Sequence, residues 1–141
     1  MDRIAVQQSG VVPYRWRHAN IEVLLVTNRS ARRWIVPKGH IEPDMTPMES
    51  AAREAYEEAG VRGTVIPTVL GTLQICRRDR LRTVELYPLH VEAVLDHWPE
   101  CDRRCRQWVT WSVAMAMCDT PGFDACLGRL AQLQLAGRLA A

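Results

Sequence analysis

Residues 39–61 read Gly-His-Ile-Glu-Pro-Asp-Met-Thr-Pro-Met-Glu-Ser-Ala-Ala-Arg-Glu-Ala-Tyr-Glu-Glu-Ala-Gly-Val, and this stretch decides the fold. Thr46 has the chemistry of a helix N-cap, Pro47 suits the first helical position, and Glu49 completes a T-x-x-E capping box. Met48, Ala51, Ala52, Ala55 and Ala59 make an apolar face small enough to pack closely on a sheet, and Gly60 is a good left-handed stop. Glu54 lies three and four residues from Glu57 and Glu58, which puts the three carboxylates on one helix face. Each like-charge pair costs a bare helix roughly 0.2–0.5 kcal/mol, so a chain that keeps the cluster is expected to hold a cation there. Oxygen-only ligands favour a hard divalent ion, Mg²⁺ ahead of Mn²⁺.

Around this helix the chain reads as strands mixed with helices. Strands are expected at 4–12, 21–27, 34–36, 64–75, 83–94 and 106–111, with a turn at Arg77–Arg80. Pro88 within the fifth of these suggests an edge position or a bulge. A short helix at 112–118 and a terminal helix follow, the latter with Phe123, Cys126, Leu127, Leu130 and Leu133 at helical spacing. This pattern implies an α/β sandwich with a mixed sheet. At 141 residues, with no repeat, low-complexity run or linker, the chain is expected to be one domain over 1–141.

Composition excludes several classes. Hydrophobic content of 48% and charged content of 24% are those of a globular protein. No apolar run approaches membrane-spanning length, and residues 1–8 lack a signal-peptide core. Five cysteines, an odd number without an export signal, point to reduced thiols and a cytoplasmic setting. His97, Cys101 and Cys105 are spaced four apart, but Pro99 interrupts them and no fourth ligand is near, so free thiols are expected rather than zinc.

The net charge of +2 hides a separation of sign. Residues 42–58 carry Glu42, Asp44, Glu49, Glu54, Glu57 and Glu58 against Arg53, while arginines gather at 29–33, 77–82 and 103–106. Acidic ion ligands beside guanidinium groups suit a small polyphosphate substrate. The basic groups are not interleaved with aromatics, so nucleic acid is not expected. Monomer and homodimer both remain open.

The 39–61 stretch resembles the Nudix box, G-x5-E-x7-R-E-U-x-E-E-x-G-U with U a bulky aliphatic. Gly39, Arg53, Glu54, Glu57, Glu58, Gly60 and Val61 match, seven of nine fixed positions; Met45 replaces the first glutamate and Ala55 an aliphatic residue. The resemblance implies an α/β/α sandwich with a mixed, curved β-sheet, and hydrolysis of a diphosphate linkage by water attack on phosphorus. It implies Mg²⁺ or Mn²⁺ held by Glu57 and Glu58, with Glu54 taking a proton or binding a second ion. It further implies the backbone carbonyl of Lys38 as a ligand and Arg53 as the residue that orients the glutamates. Met45 is expected to reduce or alter metal affinity without abolishing activity. Glu85 and Glu92 are candidates for a base outside the box, although solvated strand positions explain them better.

Residues 9–118 are similar to the diadenosine and diphosphoinositol polyphosphate phosphohydrolases, notably in Ser9–Tyr14, Trp34–Pro43, Glu57–Thr64, Val94–Glu100 and Gln107–Val109. That likeness implies a long anionic substrate gripped by Arg29, Lys38, Gly39, His40 and the 77–82 turn, Arg78 included. Trp34 is a possible base-stacking residue, but a core position explains it better. Two other readings stay open: a nucleotide-pool sanitising pyrophosphatase, and a Nudix fold that binds a nucleotide without cleaving it.

Overall fold

The computed structural model describes residues 7–140. Strand β1 (Gln8–Arg17) runs down the middle of the sheet. It pairs antiparallel with β2 (Asn20–Thr27) and with β4 (Lys38–His40), and parallel with β7 (Arg80–Val94). Beyond β2 lie β3 (Trp34–Ile35) and β8 (Arg106–Thr110). Beyond β7 lie β5 (Val61–Val65) and β6 (Gly71–Arg77). One parallel pairing among antiparallel ones makes the sheet mixed, as the sequence pattern implied.

Helices cover both faces. On one, helix α1 (Pro47–Glu54) continues into a π-helical turn (Ala55–Ala59), and Ala51, Ala55 and Ala59 are wholly buried against Val11, Leu24, Val26 and Leu89. Alanines here let the helix backbone come close to the sheet. On the other, α2 (Trp111–Met117) and α3 (Phe123–Leu135) bury Phe123, Cys126, Leu127, Leu130 and Leu133 over Val12, Leu25, Val84 and Leu86. Full burial of each leucine contributes roughly 1.5–3 kcal/mol. Trp34 packs half-buried against this second core, in agreement with the core reading.

The expected start of α1 is present in full. Thr46 Oγ1 accepts from the Glu49 N–H at 3.1 Å, and the Glu49 carboxylate accepts from the Thr46 N–H at 2.9 Å. Three expectations need correction. The strand expected at 64–75 is two strands, β5 and β6, separated by Ile66–Leu70, where Pro67 and the Leu70 N–H bond to Leu86 redirect the chain. The expected strand 4–12 runs instead from Gln8 to Arg17, its first residues lying outside the described ones, and β4 was not foreseen in a segment so short and glycine-centred. Pro88 is central rather than at an edge. It falls between the residues of β7 paired to β6 and those paired to β5, so its missing N–H interrupts neither ladder, while its carbonyl accepts from Ile66 at 2.9 Å.

Candidate active site

The box helix is anchored to the short β4 strand through its glutamates. A Cβ built on Gly39 would lie 2.9 Å from Glu54 Cγ and overlap the carboxyl group beyond it, so only glycine leaves room for Glu54 over this strand. Next to it, Glu58 Oε1 lies 3.4 Å from the Lys38 N–H. The sequence reading placed Glu57 and Glu58 on one face of a regular α-helix; the structure separates them. The helix widens into its π turn after Glu54, and such turns recur at functional sites. Glu58 turns inward and is only 6% exposed, whereas Glu57 stays near the surface and accepts from Arg53 Nε at 2.9 Å.

The Glu54 and Glu58 carboxyl groups are close enough to perturb each other's titration. Burial pushes the Glu58 carboxyl up to about 8, against the pull of the Arg104 guanidinium, and Glu54 adds to the rise. Burial likewise raises Glu54, with Glu57 and Glu100 contributing. Burial lowers the Lys38 ammonium, partly offset by Glu58. Among the described residues no three His, Cys, Asp or Glu side chains converge into a ready ligand group, and Glu57 is paired with Arg53. The two carboxyl groups that do converge offer only oxygen donors, and their burial favours the protonated forms until a cation takes the proton's place, which fits a hard divalent ion.

Loop 95–105 closes over the C-terminal end of this helix and meets carbonyls that the helix leaves unpaired. The Glu100 N–H donates to the Glu57 carbonyl at 3.1 Å, Trp98 Nε1 to that of Glu58 at 3.0 Å, and Arg106 Nη1 to that of Ala59 at 2.9 Å. Arg106 Nη2 also donates to Leu95 O at 2.6 Å, and the guanidinium stacks 3.9 Å from the Trp98 ring centre. Gly60 adopts a left-handed φ of 64°, and a Cβ there would lie 2.7 Å from Arg106 and Trp98. Arg104 and Arg106, grouped by sequence with phosphate-binding arginines, are thus committed inside the fold. Their partners are carbonyls and carboxylates up to 77 residues away, which no sequence spacing announces.

On the α3 side of β4 a cavity of about 510 Å³ is lined by Gln8, Lys38, His40, Ile75, Arg77, Arg78, Arg80 and Arg82. Arg78 and Asp79 form the two-residue tip of the β6–β7 hairpin, both with positive φ (50° and 63°). A second cavity of about 430 Å³ shares Lys38, Ile75 and Arg77 and is more apolar, with Ile35, Leu81 and Pro121 in its wall. Of the expected substrate contacts, Lys38, His40 and Arg78 therefore line one cavity and Gly39 sits at the carboxylate pair. Arg29 is exposed on the Asn28–Arg33 loop, beside Asn28 and Arg33, which reach the second cavity.

Met45 precedes the Thr46 N-cap, at the opposite end of α1 from Glu54. Glu85 accepts from the Tyr87 hydroxyl and Glu92 from Thr64 Oγ1 at 3.1 Å. Glu100, which the sequence did not single out, is the outside carboxylate that the fold brings to the site.

The Nudix domain family model matches residues 8–122. The chain belongs to the Nudix family. It is 34% identical over 133 residues to Nudix hydrolase 12, mitochondrial, of Arabidopsis thaliana, covering 78% of this chain and 64% of that protein. It is 38% identical over 114 residues to diphosphoinositol polyphosphate phosphohydrolase 2 of Rattus norvegicus, covering 77% and 62%. The match thus spans slightly under two thirds of each of these relatives. A solved Caenorhabditis elegans Ap4A hydrolase binary complex superposes with a TM-score of 0.74 at 25% identity, over 94% of this chain and 99% of that one. The Nudix fold is therefore secure, and Nudix hydrolases use divalent metal ions. Among the described residues no helix is long and apolar enough to cross a membrane.

Proposed function

We propose that this Nudix chain hydrolyses diphosphate linkages in polyphosphorylated small molecules, dinucleoside polyphosphates or diphosphoinositol phosphates, using Mg²⁺ or, as a substitute, Mn²⁺. One observation carries the reading. The strand Lys38–His40 joins half-buried Glu54 and buried Glu58 on one side to a cavity lined by Lys38, Arg77, Arg78, Arg80 and Arg82 on the other. Ion ligands and phosphate-binding guanidiniums therefore meet at a single backbone segment.

When bound, Mg²⁺ would supply charge neutralisation at the phosphate, the chief need when water attacks an anionic diphosphate. Glu58, Glu57 and the Lys38 carbonyl would hold the ion. The Glu54 carboxylate, fixed against Gly39, accepts the proton of the attacking water. Arg53 keeps Glu57 oriented through its 2.9 Å contact. Arg77, Arg78, Arg80 and Arg82 grip the phosphates beyond the cleaved bond, with His40, Lys38 and, from its loop, Arg29 as further contacts.

The apolar wall of the second cavity, Ile35, Leu81 and Pro121, favours a substrate bearing a nucleobase over one that is phosphate throughout. The relatives point both ways, since one is named for diphosphoinositol polyphosphates and one for Ap4A. All five cysteines are unpaired thiols, which supports a reducing compartment such as the cytoplasm.

The test is a panel of diadenosine tetra-, penta- and hexaphosphate, a diphosphoinositol phosphate, ADP-ribose and oxidised dNTPs, at one Mg²⁺ concentration and one ionic strength. The longer polyphosphates should lead in kcat/KM, and Arg78→Ala and Arg29→Ala should narrow their lead. ADP-ribose or an oxidised dNTP ahead by tenfold or more overturns the substrate class. Tight binding of one compound with turnover of none overturns hydrolysis in favour of a binding module.

A further inference from the structure

Arg104 is the most deeply buried guanidinium beside the site, its side chain 5% exposed. A charge taken that far from water must be paired on every side, and its partners are all resolved. Nε donates to Glu100 Oε1 at 2.9 Å, Nη1 donates to the Thr27 carbonyl at 2.9 Å, and Nη2 faces Glu58 Oε2 at 3.7 Å. Two of those partners are themselves fixed. Thr27 ends β2 and is bound twice to Cys105, N–H to carbonyl at 3.0 Å and Oγ1 from the Cys105 N–H at 2.9 Å. Glu100 is tied by its own N–H to the Glu57 carbonyl at 3.1 Å.

The planar fork therefore has two arms on rigid anchors, and its third arm points at the buried carboxylate. Glu58 is bracketed as a result: Oε2 faces Arg104, and Oε1 faces the Lys38 N–H at 3.4 Å. Neither contact is a short hydrogen bond that would saturate an oxygen, so the carboxylate is oriented while its oxygens keep room for a stronger partner.

We propose that Arg104 is a positioning residue, anchored on Thr27 and Glu100, that sets the orientation in which Glu58 receives a divalent ion. The proposal rests on the reading of Glu58 as an ion ligand. Groups that orient ligands from behind typically govern affinity or activity by about 10–100-fold.

The experiment compares wild type, Arg104→Met and Arg104→Lys. It measures Mn²⁺ affinity by titration without substrate, thermal unfolding, and kcat and KM on diadenosine pentaphosphate. Leu130→Val, a core change on the opposite face, is the control for lost stability alone. Arg104→Met should weaken Mn²⁺ at least tenfold and lower kcat by a similar factor, with KM within threefold. Arg104→Lys keeps the charge but not the fork, so it should weaken Mn²⁺ by at least threefold, and it decides the matter if the methionine variant fails to fold. Leu130→Val should lower the unfolding temperature with Mn²⁺ affinity unchanged.

A folded Arg104→Met or Arg104→Lys with Mn²⁺ affinity and kcat within twofold of wild type overturns the proposal. So does Leu130→Val weakening Mn²⁺ as much as the Arg104 variants do. Wild type that binds Mn²⁺ but cleaves no diphosphate overturns the function above and leaves the affinity series to judge Arg104. Wild type that binds no Mn²⁺ overturns both.

Discussion

Gly39 has no side chain because the carboxyl group of Glu54 occupies the space a Cβ would need. No positive φ is involved at this position, so the requirement is spatial rather than conformational. Gly39→Ala should leave β4 paired to β1 and displace the Glu54 carboxylate. A shift of about 1 Å in a catalytic group can cost on the order of 100-fold in rate. The expected outcome is a kcat reduced by about that factor with an unfolding temperature close to wild type. Full activity in Gly39→Ala would show that Glu54 does not act from where it lies.

Glu57 and Glu58 should behave differently on neutralisation, because the fold buries one and pairs the other with Arg53. Glu58→Gln is expected to lower kcat by about 10²–10³-fold, the scale of losing one group that stabilises developing charge. Without divalent ion it should unfold close to the wild-type temperature, because burial holds the Glu58 carboxyl largely protonated near neutral pH and glutamine replaces one neutral group with another. Glu57→Gln should cost less in kcat, and its remaining oxygen still accepts from Arg53. Equal losses in the two variants, seen in one steady-state assay, would contradict the asymmetry.

Removing divalent ions is a third test. An ion that binds the native site and not the unfolded chain stabilises by RT ln(1 + [L]/Kd), about 2.7 kcal/mol at 100 times Kd. Unfolding temperature should therefore climb with Mg²⁺ or Mn²⁺ in wild type after EDTA treatment, and stay flat in Glu58→Gln. A Mg²⁺-dependent rise of equal size in Glu58→Gln would move the ion elsewhere.

Met45 stands where the family motif has its first glutamate, and its place in the fold limits what the change can do. It sits ahead of the Thr46 N-cap, and the eight residues of α1 put about 12 Å of helix between it and Glu54. The sequence led to the expectation that a glutamate here would tighten the ion site. The position instead favours a charge that interacts with the helix dipole, a contribution of about 0.3–1 kcal/mol. Met45→Glu should raise the unfolding temperature slightly and shift Mg²⁺ affinity by less than threefold in a metal titration.

The thiols divide by location. Cys76, Cys101 and Cys105 are exposed, while Cys118 and Cys126 are buried. Burial raises both buried thiols, Cys126 from its ordinary 9.0 to about 11. Native protein at pH 8 should thus titrate three thiols rapidly with a disulfide reagent and two more only on unfolding. Because the folded value of Cys126 is raised, its contribution to stability is complete below pH 9 and lost as pH rises through 11. Cys126→Ala should flatten that alkaline loss of stability, whatever it costs in packing.

Much of this molecule could be read locally. The capping box, Pro47, the alanine face and the Gly60 stop are interactions over a few residues, so Thr46 to Gly60 is legible as a helix without any tertiary information. The spacing of Phe123, Cys126, Leu127, Leu130 and Leu133 marks α3 for the same reason. The carboxylates and the arginine clusters were visible as residue types. Their division of labour was not. Whether Glu57 or Glu58 is buried depends on the π turn, and no propensity rule over so few residues dictates that widening. Whether an arginine faces substrate or backbone depends on partners far along the chain: Arg104 reaches Thr27, and Arg106 reaches Ala59 and Leu95. Pro88 looked like an edge residue because the gap between β6 and β5, which makes its missing N–H harmless, exists only once three strands have met. Sequence determined the helices, the cluster of carboxylates and the clusters of arginines, since these follow from side chains and short-range spacing. Tertiary structure alone decided which carboxylate is buried and which guanidiniums are held inside the fold, since burial and pairing are set by segments that sequence holds apart.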